Sequence, residues 1–219
     1  MFNGIELDRY SLKVPKQAKR SIFFVGRHEP RKGLEVLIRS MRFLPDEVKL
    51  WIASDGPDTK RLQKATEDDI RIEWLGRISE EEKIERLQKC SLFCAPSLGG
   101  ESFGIVLLEA MASGALVVAS DIPGYSKLTR GGKDALLFKA GDSTALAKAL
   151  EKGLYEPGAS QTIVQSAMLR AKEFSMVELA ERYIQIYQKA IALTPTVPLA
   201  KGRQFFTQRA LNSKNFRMK

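Results

Sequence analysis

Short apolar runs alternate with longer amphipathic segments along most of this chain. The runs are rich in β-branched and aromatic residues, which predicts buried strands. In the longer segments apolar residues recur every three or four positions, which predicts helices that pack by one face. The predicted strands cover 21–25, 48–53, 70–75, 91–95, 116–119 and 136–138. The predicted helices cover 34–44, 57–66, 80–88, 103–112, 142–152, 161–173 and 176–193.

This alternation predicts the α/β fold class, with a Rossmann-like, doubly wound parallel sheet flanked by helices. In such sheets ligands bind at the carboxyl ends of the strands. Those ends lead into loops, and most of the candidate functional residues lie there. The loops cover 26–33, 54–57, 76–79, 96–103 and 120–124.

The net charge of +9 is concentrated at the end of the chain. The periodic pattern stops after residue 193, and residues 195–219 carry six basic and no acidic side chains. The rest of the chain therefore carries only three of the nine net charges, which argues against a nucleic-acid-binding protein. We expect 194–219 to form a mobile basic tail. Its aromatic and basic residues would also suit a weak interfacial helix on anionic lipid, or a segment that packs on another domain.

The sequence also argues against a membrane-spanning protein and against a secreted, disulfide-bonded one. The 219 residues suffice for one sizeable domain, and none of their apolar runs reaches the roughly eighteen residues of a membrane-spanning helix. The polar start after Met1 does not resemble a signal peptide, so we expect a cytoplasmic protein. Cys90 and Cys94 lie four positions apart in an apolar run, which is typical of buried thiols in a reducing compartment and not of a disulfide framework.

The stretch 99–110 combines two carboxylates with a phosphate-binding geometry. A glycine-rich turn carries Glu101 and leads into an apolar helix that carries Glu109. A carboxylate accepts two neighbouring hydrogen bonds and so suits a vicinal diol. Unpaired N–H groups at the start of the helix favour an anion between the two carboxylates. The stretch therefore predicts a nucleotide-sugar site, with a ribose at one end and a hexose at the other. The N–H groups are those of Phe103, Gly104 and Ile105.

Each of the two carboxylates also has a simpler explanation. Glu101 suits the N-terminus of a helix, where a negative charge contributes up to about 1 kcal/mol. Glu109 would be an ordinary helix glutamate, but its neighbours are apolar, and a buried unpaired carboxylate is costly. Glu109 therefore needs a ligand or a cation as partner. A glycosidase with paired carboxylates is less favoured, because the nearby cations would then have no role.

Those cations are Arg27 and Lys32, which follow the first predicted strand and Gly26. A nucleoside diphosphate develops negative charge when it leaves a sugar. Many transferases neutralise that charge with a metal held by Asp-x-Asp, which this sequence lacks, and its acidic pair Asp68-Asp69 precedes a strand at the opposite edge of the sheet. Fixed cations are the alternative. Most Arg and Lys side chains are solvated surface charges, but two cations beside glycines at the carboxyl end of a strand favour the functional role.

In their order and spacing, several short sequence elements resemble the C-terminal, donor-binding domain of a GT-B fold glycosyltransferase of the large retaining family four. The similarity extends from residue 1 to about residue 193. Within that family, the elements 29–33 and 99–106 are most similar to the phosphatidylinositol mannosyltransferases, which use GDP-mannose. The elements that carry the resemblance are Phe2–Ile5, Gly26-Arg27 with Arg31–Gly33, Gly76–Ile78, Pro96-Ser97, Glu101 with Glu109, Ala119–Asp121, Pro123-Gly124 and Phe174-Ser175.

The resemblance implies one half of a GT-B fold that binds a nucleotide-sugar, with GDP-mannose as donor and no further cofactor or metal. It implies that Glu109 holds the ribose, that Glu101 holds the sugar and steadies charge on its anomeric carbon, and that Arg27 and Lys32 hold the diphosphate. It places the base against Ile78, with Lys83 near a guanine carbonyl, although a solvated helix lysine explains Lys83 equally well. His28 is expected to be a loop residue and not a base. The remaining expected donor-binding residues are Gly26, Gly100, Ser102, Phe103, Gly104 and Ile105.

The chain departs from that family in two ways. Such enzymes have an N-terminal domain that binds the acceptor, whereas the crossover element Asn-Gly-Ile stands here at residues 3–5. We therefore expect an interdomain crossover (1–20), a nucleotide-sugar-binding domain (21–193) and the basic tail (194–219), with a separate acceptor domain as partner. In addition, Ser54 occupies a loop position where the family often has glycine.

Two functions from different classes remain open at this point. The first is the donor-binding half of a retaining glycosyltransferase, a hexosyltransferase inactive alone, that transfers mannose from GDP-mannose to a lipid or glycan. UDP- or ADP-glucose is the alternative donor. The second is a non-catalytic nucleotide-sugar-binding module or a subunit of a split enzyme. Peripheral contact with the inner face of the membrane is a further expectation.

Overall fold

The computed structural model describes residues 4–10 and 20–193. In that part of the chain, six parallel strands form one sheet in the order β3-β2-β1-β4-β5-β6. This is the strand order of a Rossmann sheet, and the predicted α/β fold is confirmed. The strands are β1 (Ser21–Val25), β2 (Lys49–Ala53), β3 (Ile72–Gly76), β4 (Leu92–Ala95), β5 (Leu116–Ser120) and β6 (Leu136–Phe138).

Helices alternate with these strands. Three short 3-10 turns lie at Leu7–Tyr10, Pro30–Lys32 and Met41–Phe43. The α-helices are α1 (Leu34–Ser40), α2 (Thr59–Lys64), α3 (Glu80–Lys89), α4 (Ile105–Ala112), α5 (Pro123–Leu128), α6 (Ser143–Tyr155), α7 (Pro157–Lys172) and α8 (Met176–Leu193).

Helices cover both faces of the sheet, and successive strand residues point to opposite sides, so each strand contributes side chains to both cores. On the central strand β1, Ile22 and Phe24 pack into the core beneath α1 and α6. Phe23 points the other way, into the core formed with α3, α4 and α7. With its strands covered on both sides, the sheet leaves its carboxyl edge as the place where loops can form a site.

Several predicted boundaries differ from the structure. The helices expected at 34–44 and 161–173 are α1 (Leu34–Ser40) and α7 (Pro157–Lys172), and three further differences lie at the carboxyl edge of the sheet. The helix expected from Phe103 begins at Ile105, because Gly104 is in the left-handed region at φ 84° and cannot be helical. The helix expected from Pro57 begins at Thr59. Hydrogen bonds from His28 and Asp58 hold the preceding residues in an irregular loop. The segment after Asp121 was expected to be only a loop, but Pro123 sits in the first turn of α5, where its fixed φ suits a helix start.

By internal packing the chain divides into two units, Met1–Ala180 and Glu181–Lys219. In the first unit, Ile5 forms a parallel bridge with Ser175, with Ile5 N–H donating to Phe174 O at 3.0 Å. The predicted crossover is thus fastened to the segment before α8. In the second unit, α8 continues to Leu193. The predicted tail 194–219 and most of residues 1–20 lie outside the described residues. None of the described helices has the length and apolar character needed to cross a membrane.

Candidate functional site

A cavity of about 1060 Å³ opens at the carboxyl edge of the sheet, beside the ends of β1, β2 and β3. This is the position at which sheets of this type bind ligands, and the volume is large enough for a ligand of nucleotide size. Its wall combines three loops with the faces of α3 and α4. The lining residues are Val25, Arg27, Ser54, Asp55, Gly56, Pro57, Arg77, Ile78, Ser79, Glu80, Lys83, Ile105, Val106 and Glu109.

The predicted site residues fall into two neighbouring groups. Five of them line the cavity, whereas Lys32 and Glu101 form a cluster outside its wall. A chain of ion pairs connects the two groups: Arg27 to Glu29 at 3.6 Å, Glu29 to Arg31 at 2.8 Å, and Arg31 to Glu101 at 2.9 Å. The five residues in the wall are Arg27, Ile78, Lys83, Ile105 and Glu109.

Glu109 is the buried carboxylate that the sequence predicts, and it does have a cation as partner. It is 9% exposed, and both of its oxygens lie 3.0 Å from the Lys83 ammonium. Lys83 also contacts Glu80 at 2.8 Å. Burial alone would lower the pKa of Lys83, but its hydrogen bond to Glu80 and the charge of Glu109 outweigh burial and raise that pKa.

The reading of Lys83 as a solvated helix lysine was therefore wrong. Its side chain is 12% exposed, since α3 presents it inward toward α4. In this structure its ammonium is engaged with Glu109 and Glu80, so it fixes the carboxylate expected to bind ribose. An interaction with the base would use the same ammonium.

Tyr10 is a member of this cluster that the sequence reasoning missed. Its side chain is buried, and its phenol lies near enough to Glu109 for the two groups to interact. Burial, followed by the charge of Glu109, raises the pKa of the Tyr10 phenol. The backbone is fixed as well, because Gln88 Nε2 donates to Tyr10 O at 3.1 Å. The crossover segment thus contributes a buried neighbour to the cavity carboxylate, and no spacing rule relates residue 10 to residue 109.

Glu101 lies in the loop before α4, as predicted, and its carboxylate is held by donors on one side. Its Oε1 accepts from Lys32 Nζ at 2.6 Å, Arg31 Nη1 at 2.9 Å and Ser97 Oγ at 3.3 Å. The Ser97 hydroxyl is bonded in turn to Tyr125 Oη at 3.0 Å. The sequence predicted Lys32 at this place but gave Arg31, its immediate neighbour, no role.

The N-terminus of α4 borders the cavity at Ile105 and Val106. Gly104 is the N-cap of α4, so the first N–H groups of the helix are those of Ile105 and Val106, and Phe103 lies one position before the cap. Phe103 packs its ring edge-on against Phe174 at 5.5 Å, which gives it a packing contact. Gly104 is needed for its left-handed backbone, and a Cβ there would lie 2.8 Å from the Tyr125 ring. Ser102 is exposed, and Gly26 has room for a Cβ.

His28 is buried and structural, as the sequence analysis expected of a loop residue. Its Nε2 donates to Ala53 O at 3.2 Å, so the neutral ring accepts at Nδ1 from Thr59 Oγ1 at 2.8 Å. The ring therefore joins the end of β2 to the start of α2, around a loop that lines the cavity. Burial lowers the pKa of His28, against the opposing effect of its bond to Ala53.

We expect this histidine to make the stability of the chain pH-dependent. Because the folded pKa is depressed, the unfolded chain binds a proton from about pH 6.5 downward while the folded chain does not. The free energy of unfolding therefore falls as the pH is lowered through that value toward the folded pKa. His28 is the single histidine of the sequence, so urea titrations between pH 7.5 and 5 report on it. If the free energy of unfolding of His28→Gln depends on pH as steeply as that of the wild type, this assignment is contradicted.

Ser54 occupies the left-handed region at φ 85°, which explains why the family often has glycine there. Its N–H donates to Gly76 O at 2.6 Å, which ties two cavity loops together. We expect Ser54→Gly to raise the free energy of unfolding by about 1 kcal/mol and the melting temperature by about 3 °C. Ser54→Ala is the matched control, since it loses the hydroxyl but keeps the strained Cβ. Equal gains in both variants would show that backbone strain is not the cause.

No group of three or more His, Cys, Asp or Glu side chains within residues 4–10 and 20–193 is placed to hold a metal ion. The acidic pair Asp68-Asp69 precedes β3. Both carboxylate oxygens of Asp69 accept from Arg71, at 2.9 and 2.8 Å. Cys90 and Cys94 are both buried.

The fold and the cavity define a Rossmann-like α/β domain with a candidate ligand site at the carboxyl edge of its sheet. Residues 19–155 match the family of group 1 glycosyl transferases, and the chain belongs to that family. Among its relatives, a phosphatidyl-myo-inositol mannosyltransferase of Mycobacterium leprae is 33% identical over 195 residues, which cover 85% of this chain and 52% of that protein. One of Mycobacterium tuberculosis is 36% identical over 163 residues, 69% of this chain and 42% of that protein. The chain thus spans about half the length of these relatives.

Solved structures agree on the fold. The Anabaena protein HepE in complex with UDP and glucose superimposes with a TM-score of 0.77 at 21% identity, over 86% of this chain and 56% of that one. Sucrose-phosphate synthase of Thermosynechococcus elongatus gives a TM-score of 0.74 at 25% identity, over 88% and 52%. The expected GT-B-type, Rossmann-like architecture is confirmed by these likenesses.

Proposed function

We propose that this chain is the donor-binding half of a retaining glycosyltransferase that takes mannose from GDP-mannose. One observation carries the proposal: the cavity wall joins a buried, cation-paired carboxylate, the N-terminus of α4 and Arg27, from which a chain of ion pairs leads to a second carboxylate, Glu101. A nucleoside diphosphate sugar presents the matching groups in the matching order: diol, diphosphate and hexose.

Each part of the donor is assigned to residues by the chemistry it requires. Glu109, fixed by Lys83, accepts hydrogen bonds from the ribose hydroxyls. The α4 N-terminus and Arg27 receive the diphosphate, together with Lys32 after it exchanges Glu101 for phosphate. Glu101 binds hydroxyls of the hexose. Ile78 packs against the base, with Lys83 near a guanine carbonyl.

The proposed chemistry is stabilisation of the leaving group. As the glycosidic bond breaks, charge develops on the diphosphate, and fixed cations already aimed at it lower the barrier. Glu101 steadies the positive charge that builds on the anomeric carbon. The acceptor attacks on the face that the diphosphate leaves, which retains configuration. We propose that Arg27 and Lys32 take the part that a metal ion has in other transferases.

The remaining assignments concern the whole protein. We propose that residues 1–20 are a crossover, 21–193 the donor domain and 194–219 a basic tail, and that a separate N-terminal domain binds a lipid or glycan acceptor. A cytoplasmic location, with peripheral contact to the membrane, fits a lipid acceptor. The relatives named as phosphatidyl-myo-inositol mannosyltransferases support this choice.

A second candidate is a binding subunit that holds the donor without transferring it. The observation in its favour is that the chain spans about half the length of its relatives. The domain that binds the acceptor would then lie in a separate chain. Catalysis requires the acceptor to be held against the anomeric carbon, so we expect negligible transfer by this chain alone. Transfer that appears only after mixing with a separately expressed acceptor domain would favour a split enzyme.

The experiment that tests the proposal is calorimetric titration of the chain with GDP, UDP and ADP. We expect one-to-one binding of GDP with a Kd below about 1 mM, and weaker binding of the other two. Tighter binding of UDP or ADP would replace GDP-mannose by UDP- or ADP-glucose, and UDP is the nucleotide in the HepE complex. If none of the three binds, the proposed function is wrong.

A further inference from the structure

Arg31 is held in place more firmly than its exposure suggests. Its side chain is 45% exposed, yet its guanidinium makes three hydrogen bonds. Nη1 donates to Glu101 Oε1 at 2.9 Å and to Gly100 O at 3.3 Å, and Nη2 donates to Glu29 Oε1 at 2.8 Å. Arg31 thus bridges two carboxylates and a backbone carbonyl.

The backbone of the Glu101 loop is built around that side chain. Gly100 is in the left-handed region at φ 73°, and a Cβ there would lie 2.9 Å from Arg31 Cδ. The main chain of Arg31 takes part too, because Leu98 N–H donates to its carbonyl at 2.8 Å. The loop before α4 is therefore docked on Arg31 by both backbone and side chain.

The hydrogen bonds to Glu101 all end on one of its two carboxylate oxygens. Arg31, Lys32 and Ser97 all donate to Oε1, so Oε2 is the oxygen left for a hydroxyl of a ligand. A planar guanidinium with several donors can keep its bond to a carboxylate in fixed geometry, whereas an ammonium on a flexible stem moves readily to another anion. The two neighbouring cations are thus suited to different tasks.

We infer that Arg31 is a positioning residue that fixes Glu101 for the hexose of the donor, and that Lys32 is thereby free to leave Glu101 for the diphosphate. This inference rests on the proposed function, since it assumes a nucleotide-sugar in the cavity. Arg31 does not line the cavity proposed for the base and the ribose, so we expect its loss to affect only the sugar end of the donor.

The test compares two ligands that differ by the hexose. In calorimetric titrations, Arg31→Gln raises the ratio of the Kd for GDP-mannose to the Kd for GDP about tenfold, while the Kd for GDP changes less than about twofold. Arg31→Lys gives an intermediate ratio, because one ammonium cannot bridge Glu29 and Glu101 at once. Arg61→Gln is the matched control, an exposed arginine paired with Glu35 at 2.8 Å, and it leaves the ratio unchanged.

Each outcome separates this inference from the proposed function. A normal ratio in Arg31→Gln, with GDP still bound, contradicts the positioning role and leaves the donor site intact. Equal weakening of both ligands also contradicts it, since that result means general damage to the site. A wild-type chain that binds neither GDP nor UDP overturns the proposed function itself.

Discussion

Replacement of Glu109 by glutamine is expected to weaken GDP binding by about 100-fold. Two hydrogen bonds from ribose hydroxyls to a charged acceptor contribute about 1.5–3 kcal/mol each, and the amide retains only part of that energy. The carboxylate is already buried and oriented by Lys83, so little further ordering is needed when the ligand binds. Calorimetric titration of Glu109→Gln with GDP measures the loss, and a melting curve shows whether the variant is folded.

A second ligand assigns that loss to the ribose. We expect the wild-type chain to bind 2′-deoxy-GDP about tenfold more weakly than GDP, and Glu109→Gln to show a clearly smaller difference between the two ligands. Glu151→Gln, on the exposed surface of α6, serves as the control and binds both as the wild type does. If Glu109→Gln still discriminates between the two ligands as the wild type does, Glu109 does not hold the ribose.

Loss of Arg27 is expected to weaken GDP binding by about tenfold without affecting guanosine. The Arg27 side chain is 68% exposed at the cavity rim and has one long ion pair, so its removal does not disturb the fold. A charge-assisted hydrogen bond to phosphate contributes about 1.5–3 kcal/mol. The double variant Arg27→Ala, Lys32→Ala should lose about 100-fold or more, again for GDP and not for guanosine.

The matched control for this pair is Arg39→Ala. Arg39 is an exposed arginine on α1 whose ion pair with Glu35 lies within one helix. The Arg39→Ala variant should bind GDP and guanosine as the wild type does. Equal loss of both ligands in Arg27→Ala would show that the cation contributes to the shape of the cavity and not to phosphate binding.

The fold was largely predictable because the alternation of strands and helices is strong and local. The bounds of β1, β6 and α8 agree with the predicted ranges, and the other strands shift by one or two residues. The errors arose where the backbone conformation of a single residue decides where a helix begins. Gly104 ends any helix that the apolar pattern would extend backward to Phe103, because its left-handed φ breaks the helical geometry.

The site was predictable only in part, since sequence shows which residues follow a strand but not which side chains meet. Glu109 was expected to be buried and paired because its neighbours are apolar, and this was correct. Its partner Lys83 lies 26 positions away and its neighbour Tyr10 lies 99 positions away, and both reach it only when α3 and the crossover pack on α4. Arg31 was overlooked since an exposed arginine beside a lysine looks like ordinary surface charge.

The central claim is that the cavity at the carboxyl edge of the sheet binds a nucleoside diphosphate in one orientation. Backbone amide shifts of the 15N-labelled chain during titration with GDP test it most directly. We expect the largest shifts at five residues of the proposed donor site: Arg27, Lys32, Ile78, Ile105 and Val106. We expect Glu109→Gln to abolish these shifts at the same GDP concentration. Shifts centred on residues 67–71 at the opposite edge of the sheet, or shifts that persist in Glu109→Gln, would contradict it.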